Sequence, residues 1–156
     1  MTVIAWDGHT LASDRQISWG DTVYSATKIF KFGDLLIGCA GDQDYSVQIT
    51  NWVINGRINA DFPISQQDEK HSVDCIVIEK ESGAVYRYGK TPHPIYFEDK
   101  FIAIGNGMDF ALAAMHCGKN SHDAVEIAIM LCNGCGCGVD TLTFDDGYKV
   151  TAIQTD

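Results

Sequence analysis

Apolar positions along the chain come in short runs cut by glycine-containing turns, with helical spacing in three places. Residues 2–6 (Thr-Val-Ile-Ala-Trp) are β-branched and apolar and predict a strand. Asp7-Gly8 is a two-residue hairpin signal, and His9 to Asp14 returns as a second strand. Residues 22–32 read as one longer strand. Gly33-Asp34 turns it into a fourth, Leu35 to Ala40, whose nearly unbroken apolar run predicts cover on both faces.

Asp42 then offers an N-cap, and Tyr45, Ile49, Trp52 and Val53 fall at i, i+4, i+7 and i+8, one helical face. Gly56 closes this helix from the C′ position. Residues 57–72 are polar and irregular, with a short helix expected after Pro63. Strands return at Val73–Lys80, Ala84–Tyr88, Pro94–Phe97 and Phe101–Ile104. A helix over about 107–117 ends at Gly118, and another starts at a Ser121 cap and carries Val125, Ile127, Ala128, Ile129 and Leu131. Gly138–Phe144 and Tyr148–Ile153 predict a final hairpin around an Asp146-Gly147 turn. Strands dominate and helices come in blocks, which predicts an α+β fold with helical layers on both faces of stacked sheets.

The length of 156 residues predicts a single domain spanning 1–156. The net charge of −10 repels phosphate backbones and anionic lipid, so nucleic acid and membrane are excluded as partners. No apolar run approaches the roughly 20 residues of a membrane span. Asp7 interrupts the N-terminal apolar run too early for a signal peptide, so a cytoplasmic protein is expected. Six cysteines in that setting are expected as free thiols, those inside predicted strands as buried packing residues. Trp6, Trp19 and Trp52 are read as packing residues, and His9 at its turn as exposed. Cys132, Cys135 and Cys137 form C-x-x-C-x-C in a glycine-rich loop. Such a loop could ligate zinc or an iron–sulfur cluster, with Cys117 or His116 as a fourth ligand. No second C-x-x-C knuckle exists, so the preferred reading is three free thiols, with no metal and no cofactor.

Four local features then line up in order. Thr2 follows the initiator methionine on a strand; the second strand ends in Leu11-Ala12-Ser13-Asp14-Arg15; the third carries Lys28-Ile29-Phe30-Lys31; the fourth reads Leu36-Ile37-Gly38-Cys39-Ala40-Gly41-Asp42 and leads into a helix. Later, Ile102-Ala103-Ile104-Gly105-Asn106-Gly107 precedes a helix, and Gly136-Cys137-Gly138-Val139-Asp140 precedes the final strands. This series resembles the proteasome β subunit and the peptidase subunit of the bacterial two-component ATP-dependent protease, over essentially the whole chain.

The resemblance implies a four-layer αββα sandwich, the Ntn-hydrolase fold. It implies Thr2 as nucleophile, Asp14 and Lys28 as its catalytic partners, and the Gly38 N–H as oxyanion donor. It places extended substrate near Ser18 and Ala40, a side-chain pocket near Leu36, and Asn106 beside the site where the family has serine. The implied activity is an N-terminal threonine amidohydrolase, a peptidase working through an acyl-Thr2 ester on peptides or unfolded proteins. A homo-oligomeric ring is the implied assembly, while an ATPase unfoldase partner has no footprint in the sequence.

The chemistry fits these residue types. A threonine hydroxyl needs a base, and a free α-amine on the same residue, with an unperturbed pKa of about 7.7–8.0, can serve. A Lys28 ammonium nearby disfavours protonation of that amine, and Asp14 holds the lysine charged. All of this requires removal of Met1, since with Met1 attached the Thr2 nitrogen is a peptide nitrogen. The chain departs from the family in a shorter first hairpin, in Asn106, and in lacking a counterpart of the Asp-x-x-Ser pair before the last strands, a region that reads Cys132-Asn133-Gly134-Cys135-Gly136-Cys137. These departures leave an alternative: a proteasome-fold structural or binding module whose active site has decayed.

Overall fold

The computed structural model describes residues 1–64 and 72–146. Among these residues it has three α-helices and three β-sheets. The first strands are β1 (Ile4–Trp6), β2 (Leu11–Asp14), β3 (Gln16–Trp19), β4 (Thr22–Ser25), β5 (Ile29–Phe32) and β6 (Leu35–Gly41). Helix α1 (Gln43–Ile54) follows, then a 3-10 turn at Asn59–Asp61. Next come β7 (Val73–Glu79), β8 (Val85–Tyr88), β9 (Ile95–Phe97), β10 (Ile102–Ile104), α2 (Met108–His116), α3 (Ser121–Leu131) and β11 (Val139–Leu142).

One sheet has the order β10-β1-β2-β11 and another β5-β6-β7-β8-β9, while β3 and β4 form a separate two-stranded ribbon. Every pairing is antiparallel. The apolar runs are explained by period two. Ile4 and Trp6 of β1 join Leu36, Ile76 and Ile78 in a core between the two larger sheets. Val3 and Ala5 point the other way, against Ala111 and Met115 of α2 and Val125 and Ala128 of α3. On the far side, Ile37, Cys75 and Val77 meet Tyr45, Ile49, Trp52 and Val53 of α1. Strands covered on both faces carry nearly unbroken apolar runs, as β1, β6 and the middle of β7 (Cys75, Ile76, Val77, Ile78) do.

Several expectations are corrected. Residues 22–32 are two strands, not one: Gly20-Asp21 turns β3 back onto β4, and the Ala26 N–H donates to Arg15 O at 2.7 Å, ending the ribbon before β5 begins. Trp19 sits on that ribbon at 80% exposure, so it is not a packing residue. The N-cap of α3 is Asn120, whose side chain accepts from the Asp123 N–H; Ser121 is the first helical residue. Leu131, placed by pattern on the buried face of α3, is 60% exposed. Strand β11 stops at Leu142, two residues short of the expected Phe144, where Asp146 accepts from the Thr143 N–H and starts a turn. The short helix expected after Pro63 and the hairpin arm Tyr148–Ile153 fall on residues outside those described. Asp42 caps α1 as expected, and Gly56 follows that helix at φ 102°. No helix among the described residues is long and apolar enough to cross a membrane.

Candidate active site

Strand pairing at one end of the two larger sheets brings three distant residues together. Thr2 lies just before β1, Asp14 at the end of β2, and Lys28 just before β5. The Asp14 N–H donates to Val3 O at 3.1 Å, which continues the β1–β2 ladder and sets Asp14 beside Thr2. The Cys39 N–H faces Lys28 O at 3.5 Å, which fixes Lys28 at the mouth between sheets. All three side chains are buried: Thr2 at 2%, Asp14 at 0% and Lys28 at 5% exposure.

The Lys28 ammonium has three N–H donors and three acceptors. It donates to Thr2 Oγ1 at 3.0 Å, to Asp14 Oδ1 at 3.0 Å and to Met1 O at 3.1 Å. Asp14 is itself held on both oxygens. Its Oδ1 also accepts from the Val3 N–H at 3.0 Å, and its Oδ2 accepts from the N–H groups of Gln16 at 3.2 Å and Gly136 at 3.1 Å. Burial pushes the Lys28 pKa below the usual lysine value, and the charge and hydrogen bond of Asp14 work against that shift.

The Thr2 backbone is fixed by the turn after β10. Gly107 N–H donates to Thr2 O at 3.2 Å. Gly105 has φ 91°, and a Cβ built there would lie 2.1 Å from Thr2 O, so only glycine allows this approach. Met1 continues outward, with its side chain against Gly134, where an added Cβ would lie 2.2 Å from Met1 Sδ.

Beside Thr2 opens a cleft of about 540 Å³, lined among others by Ala40, Gly41, Asp42, Asn106 and Asp109. A smaller recess of about 60 Å³ is lined by Thr27, Lys28, Phe30, Cys39, Val47 and Thr50, among others. Of the residues expected at the site, Thr2, Asp14, Lys28, Ala40 and Asn106 come together here. Three do not. Gly38 lies inside the five-stranded sheet, paired with Ile29 and Ile76 and packed under Ile4, and lines neither space. Leu36 is wholly buried in the core between the sheets. Ser18 is exposed on the β3–β4 ribbon.

Gly41, which the sequence reading did not single out, lines the cleft. The Asp42 N–H donates to Ser72 O at 3.1 Å, toward β7. The φ of 128° at Gly41 and a built Cβ only 2.2 Å from Ser72 O both demand glycine. The signal was a glycine immediately before the Asp42 cap. Gly136 was likewise read only as part of a glycine-rich loop. Among the described residues, the one group with metal-like clustering is His122, Asp123 and Glu126, on α3, and it does not include the cysteines. All six cysteines are free.

No family model matches the sequence, and no curated protein matches it. Among solved structures, eukaryotic HslV from Trypanosoma brucei is similar over 90% of this chain and 97% of its own, with a TM-score of 0.65 and 20% sequence identity. At that identity the likeness speaks for the fold, and it bears out the sequence resemblance at that level: the chain is proteasome β-subunit-like in fold, as HslV is.

Proposed function

We propose that this chain is an N-terminal threonine amidohydrolase, a peptidase whose nucleophile is Thr2 once Met1 has been removed. The observation that carries the reading is the buried line Thr2 Oγ1–Lys28 Nζ–Asp14 Oδ1, with 3.0 Å at each step. In the Met1-free chain the Thr2 α-amine takes the hydroxyl proton, and Lys28 keeps that amine in its basic form by electrostatic repulsion. Thr2 Oγ1 attacks the substrate carbonyl, the amine returns the proton to the leaving nitrogen, and water then hydrolyses the ester. The resemblance assigned the oxyanion to Gly38; its place within the sheet supports passing that role to the Gly41 N–H at the cleft.

The small recess supports a small apolar side chain before the cleaved bond, met by Phe30, Val47 and Cys39 rather than by Leu36. The three packed cores support a four-layer αββα sandwich, built as a single domain over 1–156. A homo-oligomeric ring enclosing the cleft is the assembly proposed, acting on peptides or unfolded protein, with an ATPase unfoldase an open addition. The free thiols suit a reducing, cytoplasmic setting. The decayed-module reading is less well supported, because Thr2, Lys28 and Asp14 retain mutual contact. The test is hydrolysis of short fluorogenic peptide amides by Met1-free protein. Turnover that vanishes in Thr2→Ala and falls steeply in Lys28→Met supports the proposal, and equal turnover in Thr2→Ala sinks it.

A further inference from the structure

The C-x-x-C segment lies against the candidate site although the proposed chemistry does not use it. Cys132 ends α3, and the Cys135 N–H donates back to Cys132 O at 3.2 Å, which closes a four-residue turn. Such a turn holds its first and fourth Cα atoms within about 7 Å. That overlaps the usual Cα separation in a disulfide, about 4.4–6.8 Å. Cys132 is half-buried and reachable, and Cys135 is buried. The next residue, Gly136, is bonded on both sides: its N–H donates to Asp14 Oδ2 at 3.1 Å, and its carbonyl accepts from the Arg15 N–H at 2.9 Å. A Cβ on Gly136 would lie 2.5 Å from Gln16 Oε1, so the loop has little room to shift without losing these bonds. Burial first, then Cys132 and the charge of Asp14, push the Cys135 thiol up to about 12, while Lys28 pulls the other way; Cys135 thus sits within the field of the Lys28–Asp14 pair.

We propose that Cys132 and Cys135 form a redox-modification site, oxidised by low-molecular-weight disulfides, whose closure draws Gly136 away from Asp14 and switches the Thr2 centre off. The Cys132 thiolate attacks one sulfur of glutathione disulfide, forms a mixed disulfide and releases one glutathione. The Cys135 thiol, passing its proton to the departing glutathione thiolate as it reacts, then attacks the Cys132 sulfur, forming the intramolecular bond and releasing the second glutathione. Two protein thiols are oxidised by two electrons, glutathione disulfide is reduced to two thiols, and the two protons end on the leaving thiolates. Closing the bond draws the Cys135 sulfur, which already faces Cys132, in to the S–S length of about 2 Å, and the following peptide, with the Gly136 N–H, rotates off the carboxylate.

The effect on activity rests on the function proposed above, so the experiment has one readout that does not. The full-length chain with Met1 removed is incubated with glutathione disulfide and mapped by peptide mass spectrometry. Amide hydrogen exchange is followed at Gly136, and labelling of Thr2 by a peptide epoxyketone is measured before and after dithiothreitol. The expected result is a Cys132–Cys135 disulfide, exchange at Gly136 faster by about tenfold, and a dithiothreitol-reversible loss of labelling. Cys132→Ser is expected to lose the whole response and Cys137→Ser to keep it. Oxidation that spares Cys132 and Cys135, or a Cys132–Cys135 bond that leaves Gly136 exchange unchanged, overturns the proposal. Absence of Thr2 labelling in every state, with faster Gly136 exchange on oxidation, counts against the peptidase reading alone and leaves the redox site supported.

Discussion

Replacing Lys28 with methionine keeps most of the apolar stem and removes the charge. In the folded protein the Lys28 and Asp14 side chains are 3% and 0% exposed and their charged atoms are 3.0 Å apart. At an effective dielectric of about 20, unit charges at that distance attract by about 5–6 kcal/mol, before the cost of burying them is subtracted. In Lys28→Met, Asp14 keeps the N–H groups of Val3, Gln16 and Gly136 but loses its counter-charge. Leaving one member of a buried pair alone costs about 3–5 kcal/mol. For a chain of this size that lowers Tm by roughly 6–20 °C. The assay is urea unfolding of wild type, Lys28→Met, Asp14→Asn and the double variant. The double variant is expected to be more stable than the sum of the singles predicts, by about 0.5–3 kcal/mol, because no lone charge remains. A pH series adds a check on sign. Burial lowers the Lys28 value in the folded state from 10.5, so the unfolded chain binds the extra proton between the two values. The wild-type advantage over Lys28→Met therefore grows as pH rises through that window toward 10.5. A Lys28→Met cost below about 1 kcal/mol, the value of an exposed pair, with full additivity in the double variant, would refute the reasoning.

Further outcomes are expected elsewhere. Gly105→Ala forces a Cβ toward Thr2 O at 2.1 Å. It should cost about 1–3 kcal/mol and abolish labelling of Thr2, measured by thermal melts and mass spectrometry. Cys135 holds its proton up to about 12 in the folded state against an ordinary 9.0, so the stability of wild type relative to Cys135→Ser should fall as pH rises between those values, in urea titrations. Asp7 accepts from the N–H groups of His9, Thr10 and Ser121, tying the β1–β2 turn to α3. Asp7→Ala should cost about 1–3 kcal/mol. Burial pushes the Asp7 value up but is outweighed by those N–H donors, so the wild-type advantage should shrink only as pH falls below 3.8.

The sequence pattern made most of the layered packing legible because β1, β6 and β7 carry apolar residues on both faces, and only strands covered twice need that. It misled at residues 22–32, where Gly20-Asp21 carried a hairpin signal masked by the β-branched run behind it. In α3 the apolar residues outnumber the buried positions, so Leu131 and Met130 are left exposed and periodicity alone could not choose the face. At the site, Thr2, Asp14 and Lys28 were legible only through the family resemblance; each ends or precedes a strand, and antiparallel pairing gathers them. Gly38 and Gly41 could not be told apart by composition. The register sets Gly38 opposite Ile29 and Gly41 opposite Val73, and of the two it is Gly41 that lines the cleft. The Gly136 contact to Asp14 spans 122 residues and left no local trace.

The most direct test of the central claim is the intact mass of the Met1-free chain before and after exposure to a peptide epoxyketone. The account predicts one added probe mass, localised to Thr2, absent in Thr2→Ala and absent while Met1 remains. A Met1-free, folded chain that stays unmodified, or that gains the probe equally in Thr2→Ala, would contradict it.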